Sequence, residues 1–178
     1  MAKVQVPWNR YLWELSTALT RDGVLLVSRD AQGKPNPMTI GWGMMGWIWG
    51  RPICMCLVRP SRYTYGCIEA AGDYTVNLPY PDQAHEALLC GTRSGRDIDK
   101  FAECGFTPLP STTVTAPGIA ECGLTMECRV VHHNDVIPGC LPREIITGYY
   151  PADDYHRCYY GEILMMVADE DFAERFGG

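Results

Sequence analysis

The apolar and polar positions of this chain fall into short extended runs separated by a few stretches of helical spacing. Gly23–Ser28 (GVLLVS) is a continuous apolar run of strand length, and Asp30–Pro37 has the composition of a turn. Asp73–Leu78 (DYTVNL) alternates as a strand does and stops at Pro79. Gly123–His133 and Arg157–Ala168 are the strongest later strand candidates, with Arg143–Tyr150 a weaker one. Helical spacing is seen between Arg59 and Gly72, over Asp82–Cys90 and in a terminal turn at Asp169–Phe176, while a loop from Gly91 leads to a helix start near Asp97. Gly105–Gly118, rich in Pro and Thr, reads as irregular connection. Residues 1–20 carry Trp8, Tyr11, Leu12, Trp13, Leu15 and Leu19, which suit either a short amphipathic helix or an arm packed on another subunit. About five to seven strands interrupted by two or three short helices predict a mainly β fold, a closed antiparallel sheet with excursions rather than a doubly wound one.

One stretch, Asn36–Tyr65, organises the rest. Its first strand sets Gly41, Gly43, Gly46 and Gly50 among Trp42, Met44, Met45, Trp47 and Trp49. Glycine weakens a strand unless the backbone must bend or be closely approached. Ile40, Trp42 and Met44 share one parity, while Met45, Trp47 and Trp49 share the other, so a bulge near Met44–Gly46 is expected, with a turn at Gly50–Pro52. Asn36 and Thr39 at the entrance of such a bent strand would receive a flat ligand edge-on.

The end of the stretch points to an anion. Ser61 is the expected N-cap of a helix through Tyr65 and Ile68. A helix N-terminus carries partial positive charge and favours acidic neighbours, yet Arg59 and Arg62 flank this one. Amide N–H groups with the Ser61 and Thr64 hydroxyls would complete a cradle for a phosphate or carboxylate. Arg93, Arg96 and Lys100 gather near the next helix start. If the fold or a dimer joins the clusters, the anion is held from both sides; otherwise both are solvated cations with local carboxylate partners.

Composition narrows the function. The 178 residues suit one domain, 1–178, long enough to bury about 70% of its unfolded surface. A formal net charge of −6 argues against general nucleic-acid binding and makes local basic clusters more telling. No apolar run reaches membrane-spanning length and no signal peptide is seen, so no membrane role is expected. The nine cysteines are odd in number and lack a C-x-x-C pair. Cys54 and Cys56 are expected on opposite faces of a strand, so neither a disulfide nor a chelating pair follows, and a reducing cytoplasm is expected. His132 and His133 are adjacent and cannot chelate one ion together, and no metal site is expected. The signatures of serine hydrolases, P-loop proteins, zinc peptidases and dinucleotide-binding folds are all missing.

The tracts NPMTIGWG, RPSRYTYGCIEAAGDYTVNLP, CGTRSGRDIDKFAECGFTPLPS, APGIAECGLTMECRVV and HRCYYGEI, spread from about Gly23 to Val167, resemble the flavin reductase-like, FMN-binding split-barrel family and within it the flavoredoxin branch. The resemblance implies a Greek-key split barrel, a homodimer and FMN near the subunit interface. It implies that Arg59, Ser61, Arg62 and Thr64 hold the FMN phosphate, with Lys100 and Arg96 adding charge. Asn36 and Thr39 would meet the polar edge of the flavin ring, and Met38 with Trp42 or Tyr65 its apolar face. His156 stands five residues before Gly161, the spacing at which the reductases place a histidine near the flavin, so it is the candidate catalytic residue. The implied activity is hydride transfer from NADH or NADPH to flavin and on to a flavin, small-molecule or protein acceptor. The alternatives are an electron-transfer flavoprotein served by a redox partner protein without nicotinamide turnover, and a flavin- or haem-binding sensor. One departure is the segment from His132 to His156, which is longer and more polar than the family pattern.

Overall fold

The computed structural model describes residues 3–177. In chain order its elements are β1 (Lys3–Gln5), α1 (Leu12–Thr20), β2 (Val24–Arg29), β3 (Pro35–Ile40), β4 (Gly43–Ile48), β5 (Arg51–Val58), α2 (Tyr63–Ala71), β6 (Asp73–Leu78) and α3 (Ala84–Thr92). There follow α4 (Lys100–Cys104), β7 (Pro108–Leu109), β8 (Gly118–Ile119), β9 (Leu124–Asp135), α5 (Arg143–Tyr149), β10 (Arg157–Asp169) and α6 (Phe172–Phe176).

The main sheet is antiparallel in the order β3-β2-β6-β9-β10-β5-β4, with β1 also paired to β10. Its two ends, β3 and β4, are separated in the chain by Gly41 and Trp42 alone, so the sheet must curl until its edges approach. The Leu57 N–H donates to the Trp42 carbonyl at 3.2 Å, tying β5 to the link between those edges. This is the split barrel. Its interior is filled by Leu26, Cys54, Cys56, Tyr74, Val76, Met126, Tyr159 and Ile163.

A second apolar cluster, Leu25, Val27, Cys90, Phe101, Phe106 and Ile119, covers the other face of β2. Burial on both faces explains why β2 is written as an unbroken apolar run. Both faces of β6 are buried too, although one is polar. The irregular segment before β9 supplies its partners. Asp73 accepts from the backbone N–H groups of Thr115 and Ala116, Thr75 donates to the Pro117 carbonyl, and Asn77 accepts from the Ile119 N–H. Buried polar groups are tolerable when bonded in this way.

Several expectations are corrected. The described residues hold ten strands and six α-helices, more than the pattern predicts, because Asn36–Trp49 forms two strands, β7 and β8 pair within the expected irregular connection, β1 adds to β10, and Arg143–Tyr149 is a helix among several short ones. No bulge lies near Met44–Gly46: β4 pairs with β5 in unbroken register from Gly43↔Cys56 to Ile48↔Arg51. The change of direction falls at Gly41–Trp42, and the chain then passes so close to β5 that a Cβ on Gly43 would lie 2.6 Å from the Met55 carbonyl oxygen. The hairpin turn is Trp49–Gly50, both at positive φ (55° and 70°), rather than Gly50–Pro52. Cys54 and Cys56 are both buried in the barrel interior, as residues two apart on a strand share a face. Arg143–Tyr149 is helical, since Ile145, Ile146 and Thr147 sit on a short excursion with no neighbouring strand to pair with. The helix expected near Asp97 starts at Lys100, capped by Asp99, whose side chain accepts from the Ala102 N–H at 3.2 Å.

Candidate functional site

The chain leaving β5 at Val58 turns through Arg59, Pro60 and Ser61 into α2, beside the start of β3 and the loop between α3 and α4. Two adjoining cavities form there. The larger, about 230 Å³, is lined by Met38, Thr39, Trp42, Arg59, Arg62 and His156 among others. The smaller, about 120 Å³, is lined by Ser61, Arg62, Thr64, Ser94, Arg96 and Lys100 among others. Met38, Arg62 and Gly91 belong to both, so one ligand can span them.

The smaller cavity is basic and unneutralised. Lys100 is only 4% exposed. Its ammonium donates to the carbonyls of Pro37 at 2.9 Å and Cys90 at 2.8 Å. Among the described residues, neither Lys100 nor Arg62, Arg93 or Arg96 forms an ion pair with a carboxylate. Burial pushes the Lys100 pKa below its ordinary value, and the nearby Arg62 guanidinium adds to the shift. Arg62, Arg93 and Arg96 are solvent-exposed, so the cost of lacking a counter-charge falls on buried Lys100, and an anion bound beside it would offset that cost. The N-terminus of α2, nine residues long, lies at the same cavity, with Tyr63 and Thr64 among its lining residues. Arg96 is held over the Tyr63 ring at 5.2 Å and donates to the Ser61 carbonyl at 3.3 Å. The loop closes tightly because residue 95 is glycine: a Cβ there would meet Asn36 Oδ1 at 1.9 Å and the Tyr63 ring at 2.9 Å.

Not every predicted residue is where the pattern put it. Thr64, Arg62, Arg96 and Lys100 gather in the smaller cavity, and Met38, Thr39 and Trp42 wall the larger. Asn36 is buried and lines neither; its Nδ2 donates to the Thr64 hydroxyl at 2.8 Å, so it braces the phosphate-sized cavity from behind. The Thr39 hydroxyl is occupied by the Ala87 carbonyl. Tyr65 lines neither cavity: one position beyond inward-facing Thr64 on a helix, it turns towards Tyr159 and Arg157. The N-cap position of α2 is Arg62, not Ser61. The Ser61 hydroxyl instead donates to Asp154 at 2.5 Å. Arg59 donates to the carbonyls of Tyr149 at 2.8 Å and Asp154 at 3.0 Å and sits over the Tyr150 ring. Thus Arg59 and Ser61 fasten the excursion between β9 and β10 to the site. Sequence reasoning missed Asp154, Tyr149 and Tyr150 because that excursion is distant in the chain, and it missed Ser94 and Gly95, for which the glycine in S-G-R-D was the available signal.

The excursion also shapes the larger cavity. Trp42 meets Tyr149 at 5.2 Å and Tyr150 at 6.4 Å, both edge-on, and the His156 ring at 4.8 Å. Burial, with the Arg59 and Arg62 charges, pushes the His156 pKa down to about 4, against a weaker opposing effect of Asp154. The imidazole is therefore neutral at physiological pH.

The chain matches the flavin reductase like domain over residues 18–175. It belongs to the flavin reductase-like family. An uncharacterised protein of Archaeoglobus fulgidus is 29% identical over 164 residues, 92% of this chain and 78% of that one. Among solved structures, the flavoredoxin of Desulfovibrio vulgaris is 26% identical with a TM-score of 0.67, over 83% of this chain and 69% of that one. The flavoredoxin of Methanosarcina acetivorans is 29% identical with the same TM-score of 0.67, over 84% and 69%. The flavin reductase component BorF of a bacterial tryptophan halogenase, at 21% identity and a TM-score of 0.61, shares the fold. The two cavities thus offer a basic end, with a buried ammonium that has no carboxylate partner, and a larger chamber walled by Met38, Trp42 and His156 beside Arg59 and Arg62. No helix among the described residues is long and apolar enough to cross a membrane.

Proposed function

We propose that this protein is an FMN-dependent oxidoreductase that takes reducing equivalents from NADH or NADPH and passes them to a flavin, a small molecule or a protein acceptor. The observation that carries the reading is the pair of cavities joined at Arg62, one lined by unpaired cations and the other by Met38, Trp42 and a neutral histidine. Bound FMN would supply two-electron redox chemistry that no side chain here provides. Lys100, Arg62, Arg96, Ser94 and the Thr64 hydroxyl would hold its phosphate, with Asn36 fixing Thr64. Met38, Thr39 and Trp42 would wall its ring, and His156 would offer the one titratable group at that cavity that is uncharged at neutral pH. Arg59 would act mainly by holding the excursion in place.

We further place a second copy of the chain against the outer face of β4. The face of this edge strand turned away from the core carries the exposed Met44 and Ile48, and the hairpin tip exposes Trp49, apolar positions unusual for a free surface. Nine thiols without a disulfide fit a reducing cytoplasm. The flavoredoxin neighbours favour a second reading, an FMN electron carrier supplied by a partner protein. Anaerobic addition of NADH or NADPH to the FMN-loaded protein separates the two. Bleaching of the flavin absorbance within seconds supports the oxidoreductase, and a flavin that stays oxidised until a reduced protein donor is added supports the carrier.

A further inference from the structure

His156 and Tyr150, six residues apart at the two ends of a turn leading into β10, are both buried, at 8% and 4% exposure. The Tyr150 Oη lies 2.8 Å from His156 Nδ1. A neutral imidazole has one nitrogen that donates and one that accepts, and the hydrogen bond at one nitrogen decides the state of the other. Tyr150 has a single proton to place; the His156 backbone N–H donates to its oxygen, and among the described residues Nδ1 is the one acceptor within reach of its proton. Were Nδ1 the donor, the phenolic proton would be left buried without an acceptor, which costs as much as a lost hydrogen bond. The proton therefore goes to Nδ1. The opposite ring edge, Nε2, has no hydrogen-bond partner among the described residues, yet it is not sealed away from solvent, and the ring lines the larger cavity.

We infer that Tyr150 is a positioning residue that locks His156 as its Nε2–H tautomer, so that the larger cavity presents a fixed, neutral N–H donor to a ligand bearing a carbonyl or carboxamide oxygen. The tautomer stands on geometry alone; the use of the donor rests on the proposed oxidoreductase reading. The charged groups facing the ring agree with a neutral donor. Arg59 and Arg62 disfavour its protonation and Asp154 alone favours it. The Trp42 ring packs at a tilt against the imidazole, centroid to centroid 4.8 Å. The excursion that departs from the family pattern thus builds a recognition element, and Tyr150 stacks on Tyr155 at 4.7 Å to hold its own ring in place.

The test is nitrogen NMR of the imidazoles in the full chain, with and without FMN, between pH 5 and 8. The expected result is a His156 ring with a protonated Nε2 and an unprotonated, accepting Nδ1 that does not titrate in this range. In Tyr150→Phe the same ring should show averaged nitrogen shifts, with His85, His132 and His133 unmoved as internal controls of folding. A wild-type ring protonated at Nδ1, or one that titrates near pH 6.5, overturns the proposal whatever the flavin does. If the loaded protein oxidises NADH or NADPH, Tyr150→Phe should raise the KM for the nicotinamide roughly fivefold, the worth of one neutral hydrogen bond, at nearly constant kcat. An unchanged KM beside a correct tautomer removes the recognition role and leaves the tautomer standing. Absence of nicotinamide oxidation counts against the oxidoreductase reading and not against the tautomer.

Discussion

Replacing Lys100 by methionine tests the basic cavity most sharply, because methionine keeps the length and apolar volume of the stem and removes only the charge. An ammonium has three N–H donors. Two of them go to the carbonyls of Pro37 and Cys90, and the third has no acceptor among the described residues. If the third is reserved for a phosphate oxygen, the variant loses one charge-assisted hydrogen bond, about 1.5–3 kcal/mol, or roughly ten- to 150-fold in FMN affinity. Riboflavin, identical but for the phosphate, should bind the variant as it binds the wild type. Quenching of flavin fluorescence reads both affinities. The two orphaned carbonyls should also cost the fold about 1–3 kcal/mol, so titrations belong well below the unfolding midpoint. An equal weakening for FMN and riboflavin would show that Lys100 is only a strut between β3 and α3, and an unchanged FMN affinity would refute the anion argument.

Other consequences can be checked separately. Gly95→Ala drives a Cβ into Asn36 and Tyr63, so the loop must move; FMN affinity should fall more than tenfold while riboflavin affinity falls less, measured by the same titration. Asp154→Ala removes the acceptor of the Ser61 hydroxyl, and hydrogen exchange of residues 137–155 should quicken while β9 and β10 stay protected; unchanged exchange would remove the fastening role. Below about pH 6.5 a histidine takes up a proton in the unfolded chain, but His156 resists until about pH 4 in the folded one, so stability is lost as pH falls across that window. Urea midpoints should show that loss to be about 2 kcal/mol larger in wild type than in His156→Gln, after allowance for water reaching the free ring edge. An equal loss in both proteins would place His156 in solvent. Gly161→Ala puts a Cβ 2.4 Å from the Tyr74 hydroxyl and 2.8 Å from Cys128 Cβ in the barrel core, and should lower stability by about 1–3 kcal/mol in the same assay.

The parts of this protein legible in its sequence are those governed by local periodicity and charge. β2, β6, β9 and β10 emerge from apolar patterning within a residue or two of their ends. The basic cavity was foreseen from cations placed at a helix N-terminus that should repel them, and Arg62, Thr64, Arg96 and Lys100 do meet. What escaped depends on facing and on distant partners. Gly41, Gly43 and Gly46 mark a bend equally well, and only closure of the barrel selects Gly41–Trp42. Thr64 and Tyr65 are neighbours in sequence, but the helical step of α2 sends one into the cavity and the other towards β10. Arg59 and Ser61 still line the cavities, but their hydrogen bonds to Tyr149 and Asp154, some ninety residues later, add a fastening role that no local pattern shows. The Tyr150–His156 bond needs α5 to end where it does, and the residues of α5 carry a weak strand pattern because nothing local reveals that no strand lies beside them.

The central claim is that a flavin phosphate sits among Lys100, Arg62 and Arg96, and phosphorus NMR of the FMN-loaded protein addresses it directly. A free phosphomonoester takes up its second proton near pH 6. Held by a buried ammonium and two guanidinium groups, the bound phosphate should remain a dianion, its resonance shifted from that of free FMN and constant from pH 8 down to about pH 5. A bound flavin whose phosphorus resonance titrates near pH 6, as in free solution, would contradict the account.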